Sequence, residues 1–439
     1  MPSPIVIVHG WSDGYRSFLN LARFLRSRLR TLVTTIDLAD WVSLDDEITY
    51  RDLRHAMQRA WTNHPEIRNR KNVHLVSHST GALVVRDWMT TYYTPDTVPV
   101  KRHLMLAPAN FGSQLAHKGR TWLGRAFKGW RTGFETGTHL LRGLELASPY
   151  TRELAERDLF GVKRWYGPDR ILAAVLVGNS GYGGPATITD EVGSDGTVRV
   201  STANLDAARL TLDYTADADR PRLTLRRPPG RSALAFGVSD GDDHGSIAFK
   251  KKNTPRGAHA AGWLAAALTV PRARWSSFVD EMALATRRLY EPGSDDPYFH
   301  GYQNTAVSVR DDLDNPVEEF LVEFHRNRRG RFAPDHFSAF FQRNVINDVH
   351  NYTADPSCRS FYLDIDLLRK RVGERSLFLE LEALPRYRRG SAVGYGSLGK
   401  IPLSPEEVEK YFVRNRTLLV DVRIRRIVGP NAFKLEPAG

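Results

Sequence analysis

The chain has 439 residues, 41% hydrophobic and 26% charged, enough to bury sizeable cores, and ordinary domain sizes predict two or three domains. Its longest apolar runs fall short of the roughly 18–20 residues of a membrane-crossing helix, and the lone Cys358 excludes an intramolecular disulfide and a thiolate metal cluster. A formal net charge of +12 favours anionic partners, but the basic clusters RFLRSRLR (23–30) and KKK (250–252) have no interleaved aromatics. They read as solvated faces, with an anionic membrane surface as the alternative and no nucleic acid expected.

The first strand-like run, Ile5 to Val8, has no basic-then-apolar leader before it. A chain of the cytoplasm as synthesised is therefore expected, with non-classical secretion as the alternative. Helical spacing follows over 18–30, then the strand-like LVTTID, a helix over 50–61, the pair VHLVSH and ALVVRDWMTTYY, and the apolar runs HLMLA and ILAAVLVG. Strands alternating with helices predict an α/β fold with a mostly parallel sheet covered on both faces.

Between Ala107 and Ile171 lies an insertion too long for a simple connection, a cap over about 111–165. Turning Arg120 to Arg131 through 100° per residue puts Trp122, Leu123, Ala126, Phe127 and Trp130 on one face, opposite Arg120, Arg125, Lys128 and Arg131. One reading is a helix burying its stripe on the core. The other is a hinged lid that sets Trp122, Phe127 and Trp130 on lipid, because aromatics opposite basic residues are the composition of interfacial helices. Two further strand-like runs between about 204 and 230 form a hairpin insertion, either edge decoration or pocket wall.

Beyond about 265 the texture changes. After a helix near 276–290 and a Pro- and Gly-containing linker over 292–301, FYLDIDL, LFLELEA and LLVDVRI alternate apolar and polar with period two, as half-buried antiparallel strands do. A β-rich, sandwich-like C-terminal domain over 266–439 is expected, following a catalytic domain over 1–265. Asp311, Asp312 and Asp314 read as an acidic turn, with a calcium-dependent membrane loop as the alternative.

The chemistry concentrates at Ser77-x-Ser79-x-Gly81. A serine on a sharp turn between a strand and the helix behind it projects its hydroxyl from the carboxyl edge of the sheet, and small residues two before and two after let the helix pack close. A helix-capping serine is the alternative, but it accounts for Ser79 or Thr80 alone.

This segment resembles the nucleophile elbow of the α/β-hydrolase superfamily, with Ser in place of the usual first glycine, and VIVHGWSDG resembles that superfamily's oxyanion strand and loop. The resemblance covers roughly residues 1–265. It implies an α/β-hydrolase fold with a cap, and a serine lipase or esterase similar to bacterial lipases and phospholipases, among them secretion-system lipase effectors. It makes Ser79 the nucleophile and the backbone N–H groups of Trp11 and Thr80 the oxyanion donors, each worth roughly 3–4 kcal/mol on developing charge. His9 and His78 are then structural.

The superfamily order of serine, acid, base implies Asp195 as the acid, in SDGTV after the run ILAAVLV, with Asp190 as the alternative. It implies His244, in DDHGSI after ALAFGV, as the base. Asp240, Asp242 and Asp243 are expected to be solvated turn formers. The implied reaction is hydrolysis of a lipid or other carboxylic ester through an acyl-enzyme, with neither metal nor cofactor required. Acyl transfer to an alcohol and a non-catalytic lipid-binding adaptor are the competing functions, and no partner of the C-terminal domain is legible.

Overall fold

The computed structural model describes residues 3–10, 15–36, 47–116, 137–182, 191–250, 254–326, 336–373, 375–430 and 432. The chain divides into two compact units, one of Met1–Ala207 with Arg227–His300 and one of Ala208–Arg226 with Gly301–Gly439.

In the first unit the strands are Ile5–Val8 (β1), Val33–Ile36 (β2), Val73–His78 (β3), Val100–Leu106 (β4) and Leu172–Gly178 (β5). After the hairpin of Ala208–Asp213 (β6) and Arg222–Arg226 (β7), which belongs to the second unit, comes Leu234–Ser239 (β8). Six strands form one all-parallel sheet in the order β2-β1-β3-β4-β5-β8. β1, β3 and β5 are buried at every position. Layers on both faces demand apolar side chains on both sides, so these strands read as nearly continuous apolar runs.

Helix Leu19–Leu29 (α1) shares a core with the Ile5 and Ile7 face of the sheet and with helices Ala260–Thr269 and Trp275–Arg287. Helices Tyr50–Asn63 (α2) and Gly81–Tyr92 (α3) pack on each other through Trp61 and Trp88, ring centroids 4.8 Å apart, across the other face. A capping box of Thr49 and Asp52 starts α2, satisfying two N–H groups that the helix itself cannot pair.

The chain changes unit after His300, at the end of the Pro- and Gly-containing stretch, and not at 265. Residues 266–300 stay with the first unit because the edge strand β8 needs a cover. Trp275, Phe278 and Met282 supply it: Trp275 Nε1 donates to Ala233 O at 2.7 Å, and Thr286 Oγ1 accepts from Val238 N at 3.1 Å.

The second unit adds Tyr302–Asp311 (β9), Phe320–His325 (β10), Ile346–Asn351 (β11), Cys358–Asp364 (β12), Leu377–Ala383 (β13), Val393–Tyr395 (β14), Ile401–Leu403 (β15), Arg416–Ile424 (β16) and Arg426–Val428 (β17). A six-stranded sheet, β11-β12-β9-β16-β6-β7, and a three-stranded sheet, β10-β13-β15, share one core that includes Leu212, Val307, Val420, Phe324 and Leu381. The hairpin thus makes an edge of this sheet, β6 running parallel to β16 and not decorating the sheet of the first unit. β16 is also parallel to β9, so the sheet is mixed, because period-two alternation reports a half-buried face and not strand direction.

The run FYLDIDL does not stay extended. Asp364 accepts from Leu367 N and caps the helix Ile365–Val372, a local bond that outcompetes the continuing alternation. The acidic turn is self-satisfied. Asp311 accepts from the backbone of Leu313 and Asn315 and from Arg426, and Asp314 pairs with Arg423. No helix among the described residues is long and apolar enough to cross a membrane.

Candidate active site

β3 ends at His78 and α3 begins at Gly81, leaving two residues to reverse the chain. Ser79 makes the turn with φ of +55°, a left-handed conformation that costs a side-chain-bearing residue energy and persists only where its surroundings hold it. Its N–H donates to Leu106 O at 3.0 Å. At Gly81 any Cβ would lie 2.6 Å from Val8 O and 2.8 Å from His9 O, so only glycine lets α3 approach the end of β1. A Cβ at Gly10 would lie 3.0 Å from Thr80 Oγ1 and 3.4 Å from Ser79 Cβ. The segment after β1 therefore abuts the elbow.

The departure from glycine at position 77 has a structural counterpart. Ser77 Oγ bonds His103 Nε2 of the neighbouring strand β4 at 2.7 Å, both groups being buried. Just past the elbow, Arg86 of α3 makes a two-pronged pair with Asp158, at 2.7 and 2.9 Å, and reaches Asn110 Oδ1 at 3.1 Å. That pair ties the helix to the insertion between β4 and β5.

The structure brings Ser79, His244 and Asp195 together from three separate loops. His244 Nε2 lies 3.1 Å from Ser79 Oγ, and His244 Nδ1 lies 2.8 Å from Asp195 Oδ2. The second carboxylate oxygen of Asp195 accepts from the N–H groups of Thr197 at 2.9 Å and Val198 at 2.7 Å. His244 N donates to Asp195 O at 3.0 Å, joining the two loops through the main chain as well. A carboxylate accepts, so Nδ1 carries the imidazole proton and Nε2 turns its lone pair toward the serine hydroxyl. All three side chains are buried.

Thr80 stands next, at the N-terminus of α3, where the helix dipole favours negative charge. Trp11, Asp190, Trp122, Phe127 and Trp130 lie outside the described residues.

His9 and His78 fall beside the site without joining the serine–histidine–aspartate line. His78 Nε2 donates to His244 O at 3.0 Å, and His9 stacks on Phe18. Burial, reinforced by the neighbouring His244 and Lys250 groups, holds His78 well below the usual imidazole range. Burial, with Arg86 beside it, takes His103 down to about 3.

Both imidazoles are neutral in the fold, whereas in the unfolded chain each gains a proton below about pH 6.5. The unfolded state then binds more protons, so stability falls as pH drops below about 6.5, by up to about 1.4 kcal/mol per pH unit for each such histidine, and for His103 this continues to about pH 3. Thermal melts at pH 7.5 and 5.5 should show the decline, and His103→Asn should flatten it. An equal slope in that variant would show that His103 does not stay neutral.

Two of the three aspartates near His244 are not solvated. Asp242 is fully buried: it accepts from Ser239 Oγ at 2.6 Å, Ser246 Oγ at 2.5 Å, Arg256 N at 2.8 Å and Gly257 N at 3.1 Å. Asp243, also buried, accepts from Gly245 N and Ser246 N. The loop bearing His244 is wound around these carboxylates, which take hydrogen bonds from the backbone in place of water. Only Asp240 is exposed, bonded to Asn179 and Tyr298. A buried aspartate leaves no periodic signal, and Asp-Gly-Asp-Asp has the composition of a solvated turn.

Residues 5–174 match the family model described as "Alpha/beta hydrolase family". The whole chain is similar to the solved structure of the phospholipase PlaB from Legionella pneumophila, with TM-score 0.82 and 22% identity, covering 100% of this chain and 97% of that one. The same protein in complex with thio-NAD gives TM-score 0.81 and 21% identity over 99% and 96%. No curated protein matches the chain. At these identities the likeness speaks for the fold, and it extends through the second unit. Together with the parallel sheet and the elbow at Ser79, it shows an α/β-hydrolase fold in the first unit.

Proposed function

We propose that the protein is a serine carboxylic-ester hydrolase acting on lipids, of lipase or phospholipase A type. The observation that carries this reading is the unbroken line Asp195–His244–Ser79, with the serine on a left-handed elbow. Ser79 Oγ attacks the ester carbonyl while His244 Nε2 takes its proton. Asp195 holds the tautomer and stabilises the imidazolium. The backbone N–H of Thr80, with that of Trp11, receives the oxyanion. His244 then returns the proton to the leaving alcohol, and water repeats the cycle on the acyl-enzyme.

Lipid as the substrate class draws support from the phospholipase named among the similar structures and from the basic, aromatic pattern of Arg120 to Arg131, whose composition suits an interfacial lid. Incubation with triacylglycerols, phosphatidylcholine and phosphatidylglycerol, each as vesicles or emulsions and as short-chain soluble analogues, with mass-spectrometric identification of products, tests it. Free fatty acid should appear, faster from anionic aggregates than from monomers. Release of a headgroup with both acyl chains retained, or no release from any ester, would overturn the reading.

A further inference from the structure

Between the six-stranded and the three-stranded sheets of the second unit lies a cavity of about 60 Å³. Its wall is built from the inward rows of both sheets, Leu212, Val307 and Val420 on one side and Phe324, Leu381 and Leu403 on the other. The hydroxyl of Thr305, which also lines it, is engaged by Gln303 Nε2 at 3.0 Å and so adds no free polar group. Facing sheets stand about 10 Å apart, and rows of Val and Leu are too short to meet across that gap everywhere. Water gains little in such a space, since an ordered water needs two to four polar partners.

An apolar cavity of about 150 Å³ holds one benzene ring, so this space takes a run of about two or three methylene-sized groups. Leu223, Val322, Phe361 and Leu379 line the same cavity but are only partly buried. There the wall meets the surface, and an apolar chain can enter with its polar end left in water.

We propose that this cavity binds the end of the hydrocarbon tail of a single-chain amphiphile, a fatty acid or a lysolipid. These are the products of the proposed lipid hydrolysis, and the choice of ligand class rests on that reading; the site itself lies in the second unit and uses none of the catalytic residues. The wall offers neither charge nor a free hydrogen bond, so recognition is by burial of methylenes alone, and tail length, not headgroup, sets affinity.

The test uses the full chain with Ser79→Ala, to prevent turnover, and wild-type protein blocked by a fluorophosphonate. Decanoate and decanoyl-lysophosphatidylcholine, each below its micelle concentration, are titrated by calorimetry. Saturable binding should appear in both proteins. Binding of both ligands assigns the shared tail, and binding of one alone would show that the headgroup sets affinity and would overturn recognition by the tail. Val420→Phe should weaken binding about tenfold or more, since each methylene shut out of an apolar site costs about fourfold. Val307→Leu, a smaller filling change that keeps the fold if the first does not, should weaken it about fourfold.

Absence of binding, loss of binding on fluorophosphonate blocking, or indifference to both filling variants would overturn the proposal. Binding does not need ester cleavage. A protein that binds but hydrolyses nothing would therefore refute the proposed activity while leaving this site standing.

Discussion

Ser79→Ala and His244→Ala are each expected to lower kcat for ester hydrolysis by about 10⁴–10⁶-fold, with melting temperature nearly unchanged. The losses should not add in the double variant. In the proposed reaction Ser79 Oγ and His244 Nε2, 3.1 Å apart, act on one proton in one step, so removing either leaves the other without its task. What remains is positioning and the oxyanion donors, which act on substrate and water without the nucleophile.

Asp195→Asn should be impaired by about 10⁴-fold. An amide in place of the carboxylate oxygen 2.8 Å from His244 Nδ1 favours the wrong tautomer and turns the imidazole lone pair away from Ser79. A fluorophosphonate should label Ser79 and no other serine. Near-normal turnover by Asp195→Asn alongside a dead Asp190→Asn would move the acid to Asp190. Additive losses in the Ser79/His244 double variant would show that the two do not form a unit.

Gly81→Ala is expected to reduce activity by about 100-fold or more and to destabilise the fold by about 1–3 kcal/mol, although it adds one methyl group. The added carbon would stand 2.6 Å from Val8 O and 2.8 Å from His9 O. Both are backbone atoms of the segment that leads to the proposed oxyanion loop, and neither can turn aside as a side chain would. Either α3 or the end of β1 must move, and each shift separates Ser79 from the proposed oxyanion donors. A misplacement of about 1 Å costs about 100-fold in rate.

The control is Gly262→Ala, in the helix Ala260–Thr269, where a Cβ meets nothing within 4 Å. That variant should gain about 0.5–1 kcal/mol from helix propensity. Circular-dichroism melts and soluble-ester kinetics on the pair decide the matter. An active, stable Gly81→Ala would mean that the helix does not approach β1 as closely as the structure places it.

The sequence alone determined the α/β order of the first unit and the elbow at Ser79, while Asp195 and His244 came from the family resemblance, with Asp190 left open beside Asp195. Buried parallel strands must be apolar along their whole length, and an elbow must have small residues at 77 and 81 because the strand–helix approach leaves no room. Those demands are local, so they are written as runs and spacings. Burial of β3 and β5 along their lengths and the strand–turn–helix around Ser79 were legible for this reason.

Only the tertiary structure decided what depends on partners distant in sequence. The hairpin after β5 carries the same alternation wherever it docks, and its pairing with β16, about two hundred residues later, is what assigns it to the second unit. The helix Trp275–Arg287 presents an ordinary apolar stripe, and the uncovered β8 draws it into the first unit. Asp242 looks like any turn aspartate until two serine hydroxyls and two backbone N–H groups converge on it. Patterns along a chain record which face of an element is apolar. Which surface covers that face, and which donors replace water around a buried charge, is settled only when the elements pack.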